Sequence, residues 1–147
     1  TELLALNNRL SEFQSNECEV AAVSTDSVDA HLAWKLTPEE YGGIGDLGYP
    51  LLSDSGHAIS EAYGVLLDDR GASLRAWFLI DRQGVVRHQL VNDLPHGRSV
   101  REALRMVEAV RFTDGNPGVC PADWTPGEKT LEPSRAGIIE FLKGLGR

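Results

Sequence analysis

The stretch Leu74–Val91, reading LRAWFLIDRQGVVRHQLV, decides the fold. Two runs rich in aliphatic, aromatic and β-branched residues, Leu74–Ile80 and Val85–Val91, flank the turn quartet Asp81-Arg82-Gln83-Gly84 and predict an antiparallel hairpin. In the second run Arg87 and Gln89 alternate with Val86, His88 and Leu90, so one face is expected to be less buried than the other.

Towards the N-terminus, Leu3, Leu6, Leu10 and Phe13 recur at helical spacing and predict one helix over Thr1–Phe13, broken at Asn16-Glu17. Val20–Val23 is a short apolar run leading into Ser24-Thr25-Asp26-Ser27; it reads as a buried strand followed by polar loop residues. Asp26 or Ser27 caps a short helix running through Trp34, and Thr37-Pro38-Glu39-Glu40 has the form of a capping box with proline at the first helical position. The glycines of Gly42-Gly43-Ile44-Gly45 end that turn. Tyr49–Ser53 reads as a second brief strand, Ala58–Tyr63 as a short helix closed by Gly64, and Asp68-Asp69-Arg70-Gly71 as a turn.

Towards the C-terminus, Ser99 and Glu102 have capping-box spacing, and Val100, Ala103, Leu104, Val107 and Val110 form the apolar stripe of a long helix. From Thr113 the chain is rich in glycine and proline, with a last weak amphipathic turn through Ile138, Ile139, Phe141 and Leu142. These features divide the chain into a core over residues 1–112 and an arm over 113–147. The order α, β, α, β, α, hairpin, α, tail is an α/β, thioredoxin-like layout: a central mixed sheet flanked by helices, with the opening strands absent. The first helix needs a strand before it to feed a crossover.

The chain has 147 residues, 41% hydrophobic and 24% charged, the size and composition of one folded globular domain. A net charge of −8 argues against nucleic acid, whose phosphates reward lysine and arginine. The apolar runs are too short to span a membrane, and no basic stretch followed by an apolar one reads as a secretory signal; a cytoplasmic location is expected. Cys18 and Cys120 are too far apart for a CxxC pair, and His31, His57, His88 and His96 show no HxxxH or HExxH spacing, so neither a metal nor a cofactor is expected.

Several side chains are chemically interesting, each with a plainer reading beside it. Cys120 lies in a segment rich in glycine and proline that predicts exposure, and an exposed thiol can be oxidised or exchanged, or can be an ordinary surface cysteine. Cys18, before an apolar strand, reads as a small buried hydrophobe. Arg75 opens a strand, where a guanidinium can hold a thiolate or oxyanion, or simply pair with a carboxylate. Arg98 has the same plain reading. Glu2 falls in a first helical turn, where the dipole favours a carboxylate. Trp34, Trp77 and Trp124 are assigned to packing.

Seven segments occur in a telling order: Asn16-Glu17-Cys18-Glu19-Val20, Val23–Ser27, His31-Leu32-Ala33-Trp34, Gly42–Gly45, Arg75 through Asp81, Val91–Pro95 with Gly97-Arg98-Ser99, and Val119-Cys120-Pro121-Ala122 with Trp124. Together they resemble the typical two-cysteine peroxiredoxins, the alkyl hydroperoxide reductase and thioredoxin peroxidase family, almost end to end. In that family the peroxidatic cysteine lies in Val-Cys-Pro-Thr-Glu. Thr1-Glu2 is similar to the end of that pattern, which puts the attacking cysteine two positions before Thr1 and outside these 147 residues, with a family threonine further upstream. The resemblance makes Cys120 the resolving cysteine and Arg75 the arginine that stabilises thiolate and peroxide. It makes Glu2 and Arg98 a supporting pair, and gives Cys18 no catalytic role.

The implied activity is reduction of hydrogen peroxide and alkyl hydroperoxides, with recycling by a thioredoxin-like dithiol donor. The attacking thiolate becomes a sulfenic acid, which a second thiol converts to a disulfide. The resemblance further implies a homodimer through edge strand 85–91 and assembly of five such dimers into a decamer. Gly42–Gly45 resembles the loop that, with a terminal Tyr-Phe pair, favours over-oxidation; Phe141-Leu142 stands in that place here, so strong sensitivity is not expected. The 147 residues by themselves are expected to be inactive. One rival reading is a non-catalytic chaperone-like or regulatory module of the same fold, and another is thiol transfer by Cys120 alone.

Overall fold

The hairpin forms where the alternation predicts it. In a computed structural model of the chain, which describes residues 1–145, β5 (Arg75–Ile80) pairs antiparallel with β6 (Val86–Asn92). The register runs from Arg75 opposite Asn92 to Ile80 opposite Val86, with an irregularity between Leu79 and Ile80. The turn is built by Asp81, whose Oδ1 accepts the backbone N–H groups of Gln83 and Val85, while Gly84 takes the left-handed conformation at φ +81°. β6 has β5 as its only ladder partner among the described residues, so its other edge is unpaired.

Before the hairpin come α1 (Glu2–Asn7), α2 (Leu10–Ser15), β1 (Ala22–Ser24), α3 (Val28–Leu36), a 3₁₀ turn (Glu39–Tyr41), β2 (Leu51–Ser53), α4 (Ala58–Ala62), β3 (Leu66–Leu67) and β4 (Ala72–Ser73). After it come α5 (Val100–Gly115) and α6 (Arg135–Gly144). β1 and β2 are parallel, and α3 supplies the crossover such a pair requires. β3 and β4 form a small antiparallel ladder around the Asp68–Gly71 turn. The expected α/β class holds, with the strands arranged as three two-stranded ladders among the described residues. None of the described helices is long and apolar enough to cross a membrane.

The single opening helix expected over Thr1–Phe13 is in fact two, separated by Asn8 and Arg9. Asn8 is a modest helix former, and Asn7, the last residue of α1, turns its side chain away to accept the Gly48 backbone N–H at 2.8 Å. Each half still buries one anchor, Leu6 and Phe13, worth about 1.5–3 kcal/mol apiece. The first strand starts later than expected, at Ala22, and it is not wholly buried: Val23 is 40% exposed. Of the two caps offered for α3, Ser27 is the one used, its Oγ accepting the Ala30 N–H at 3.2 Å. The capping box at Thr37 does not form. The Thr37 hydroxyl instead donates back to the Ala33 carbonyl at 2.8 Å, and only a single 3₁₀ turn follows Pro38.

The chain divides into two compact units, Thr1–Val100 and Arg101–Arg147. In the first, the buried apolar set is Leu6, Phe13, Ile44, Tyr49, Val65 and Val100. The second buries Leu104, Val107, Ala109 and Trp124, with the Phe112 and Trp124 rings 4.9 Å apart.

Candidate active site

Three of the four candidates named from the sequence meet at one point in the first unit. Glu2 enters from the first turn of α1, Arg75 from the first residue of β5, and Arg98 from the segment after β6. Arg98 Nε donates to Glu2 Oε1 at 2.8 Å and Nη2 to Oε2 at 3.2 Å, while the Arg98 backbone N–H donates to Oε1 at 2.7 Å. Arg75 Nη1 reaches Glu2 Oε2 at 2.5 Å. The two guanidiniums are anchored a second time on main-chain carbonyls: Arg75 Nε on Leu94 and Arg98 Nη1 on Ala76, both at 2.5 Å.

Glu2 is therefore a carboxylate clamped between two cations. Burial pushes its carboxyl upward, but the hydrogen bonds from the Arg98 side chain and backbone, reinforced by the charges of Arg98 and Arg75, outweigh burial and hold it at about 2. The cluster carries one net positive charge. That charge is most available at Arg75, whose side chain is 42% exposed against 21% for Arg98. A fixed guanidinium of this kind stabilises a thiolate or a developing oxyanion brought beside it.

Two neighbours were not legible as part of this cluster. Tyr49 is buried and donates its hydroxyl to the Leu3 carbonyl at 2.8 Å, tying the first turn of α1 in place. Burial raises the Tyr49 phenol to about 12, against the opposing charge of Arg98. The second neighbour is Trp77, whose ring lies beneath the Arg98 guanidinium, 5.2 Å from ring centroid to carbon. Its position two residues after Arg75 on one strand was a signal for a shared face.

Cys120, the fourth candidate, belongs to the Arg101–Arg147 unit. Its loop is closed at the base by paired backbone hydrogen bonds between Val119 and Leu131, at 2.8 and 3.0 Å. Inside the loop the Trp124 ring is almost fully buried; its N–H donates to the Glu128 carbonyl at 3.1 Å, and Arg105 Nη1 donates to the Trp124 carbonyl at 3.1 Å. Burial pushes the Cys120 thiol above its ordinary value, and the Arg105 charge offsets part of that rise. The segment expected to be exposed is thus a closed loop, and Cys120 itself is part-buried. Cys18 is only half-buried rather than a core residue, and burial, with the Glu19 charge, raises its thiol too.

The geometry matches known proteins over nearly all of the chain. Residues 1–89 match the AhpC/TSA family, and residues 109–144 match the C-terminal domain of 1-Cys peroxiredoxin. A thioredoxin peroxidase of Echinococcus granulosus is 47% identical over 142 residues, covering 97% of this chain and 74% of that protein. The chloroplastic 2-Cys peroxiredoxin of Spinacia oleracea is 50% identical over 146 residues, and the chain spans 55% of its length. The crystal structure of reduced Plasmodium vivax 2-Cys peroxiredoxin superposes with a TM-score of 0.93 at 44% identity, covering 97% of this chain and 73% of that one. One of these relatives carries a chloroplast name, so kinship does not select the cytoplasm expected from the sequence. The agreement in fold, identity and order of segments has one meaning: the chain belongs to the AhpC/TSA family of thiol peroxidases, among the 2-Cys peroxiredoxins.

Proposed function

We propose that this chain supplies the charge-stabilising frame and the resolving thiol of a peroxidase that reduces hydrogen peroxide and alkyl hydroperoxides. The attacking thiolate belongs two positions before Thr1. Arg75 stabilises that thiolate and the peroxide oxygen on which charge develops, and Glu2 with Arg98 holds Arg75 in place. Attack on the nearer peroxide oxygen breaks the O–O bond, releases water or an alcohol after protonation, and leaves a sulfenic acid. Cys120 of a second subunit then forms the disulfide and expels the sulfenic oxygen as water. A thioredoxin-like dithiol reduces the disulfide and regenerates both thiols.

The observation that carries this reading is the convergence of Arg75 and Arg98 on Glu2 at the start of α1. The unpaired edge of β6, with Val86 and Val91 each nearly half exposed, supports self-pairing into a two-fold dimer.

The test compares the 147-residue chain with one extended upstream by a segment ending in Val-Cys-Pro. The chain alone is expected to consume peroxide no faster than free cysteine. The extended chain is expected to turn over with a dithiol donor and to form an intersubunit disulfide that requires Cys120. Arg75→Gln should lower its kcat/KM by about a hundredfold or more. An inert extended chain, or an equally active unextended one, overturns the reading.

A further inference from the structure

Trp77 follows Arg75 by two positions on β5, so the two side chains leave the same face of the strand. The indole N–H is shielded from solvent and meets no acceptor among the described residues. The ring's polar edge therefore gains nothing where it sits. Its face does: the Arg98 guanidinium lies over it at 5.2 Å, within the range in which a ring quadrupole attracts a cation.

The two uses of that guanidinium do not compete. Its hydrogen bonds run to Glu2 and the Ala76 carbonyl, whereas the indole supplies a ring face with its centroid 5.2 Å from the guanidinium carbon. Hydrogen bonds alone still allow each donor to exchange its acceptor for water. An aromatic face beside the cation adds an attraction that opposes that exchange.

We propose that Trp77 is a positioning residue: its indole face steadies the Arg98 guanidinium, Arg98 fixes Glu2, and Glu2 in turn fixes the Nη1 edge of Arg75. An aliphatic side chain of similar volume fills the same space without supplying that surface. The importance of the Arg75 edge rests on the peroxidase reading; the chain of contacts leading to it does not.

The experiment uses the 147-residue chain with tryptophan 77 replaced, at that site alone, by mono-, di- and trifluorinated tryptophans. These keep the ring's shape while draining its quadrupole. The readout is the hydrogen-exchange rate of the Arg98 Nε–H, the donor to Glu2, followed by nitrogen-detected NMR near pH 6. Exchange is expected to quicken progressively, by about threefold or more across the series. Trp77→Leu should quicken it at least as much, and Trp77→Phe should restore part of the protection. A rate unchanged by fluorination overturns the proposal, and the near-native shape of the analogues keeps that outcome available even if Trp77→Leu fails to fold.

A parallel peroxidase assay on the upstream-extended chain separates the two ideas. Exchange that follows fluorination in an inert extended chain leaves the contact chain standing and removes the peroxidase reading. Full activity together with flat exchange removes the role of Trp77 alone.

Discussion

Arg98 grips one oxygen of Glu2 twice, its side-chain Nε at 2.8 Å and its own backbone N–H at 2.7 Å from the same Oε1. The double grip makes the carboxylate an internal anchor rather than a surface charge, since its side chain is only 14% exposed. Whatever approaches Arg75 meets a guanidinium whose partner is already held.

Replacing Glu2 by glutamine should destabilise the chain by about 2–3 kcal/mol at pH 7, as read from urea unfolding. The pH dependence follows from the sign of the shift. The folded carboxyl sits at about 2, below its ordinary 4.5, so its contribution is complete above pH 4.5 and is lost as pH falls towards 2. The gap between parent and variant should close over that window. A gap that persisted unchanged at pH 2 would show that the charge is not its source.

The Cys120 thiol should react with a disulfide reagent more slowly at pH 7.5 than a free cysteine, because burial holds its pKa up. Arg105→Gln removes the offsetting charge and should slow the reaction further, with the rate-versus-pH midpoint moving to higher pH. Stopped-flow absorbance measures both. A faster variant would mean that Arg105 acts chiefly by holding the loop shut through the Trp124 carbonyl.

Trp124→Ala empties the best-buried position of the second unit and breaks its contact with Phe112, at a cost of about 3–5 kcal/mol. Trp124→Phe keeps a ring but loses the hydrogen bond to Glu128, and should cost roughly 1–2 kcal/mol. In both variants Cys120 should become more accessible, which alkylation followed by mass spectrometry would register before global unfolding.

Gly43 admits no side chain, because a Cβ there would lie 1.7 Å from the Thr37 carbonyl oxygen, a backbone atom that cannot step aside. Gly43→Ala should cost about 3 kcal/mol, seen as a clear drop in Tm. Gly56→Ala meets nothing within 4 Å and should change stability by about 0.5 kcal/mol or less, serving as the control.

Local sequence was enough to specify the hairpin, a cap at Asp26 or Ser27, the closing of α4 before Gly64 and the long helix from Val100. Each depends on residues within a few positions of one another: alternation, a hydroxyl beside an unpaired N–H, a glycine where the chain turns. The ordered set of segments around Arg75, Arg98 and Cys120 also pointed to the family. Only the tertiary structure decided that Glu2, Arg75 and Arg98 share one site, since the contacts to Glu2 span 73 and 96 positions. It likewise decided where the local rules yield. Thr37 has an equally near acceptor in the Ala33 carbonyl, and Asn7 finds the Gly48 N–H across the fold, so capping box and continuous helix both lose to bonds that spacing does not encode. The flat face of Trp77 shows the same division: strand periodicity puts it beside Arg75, but the packing of a distant loop puts Arg98 over it.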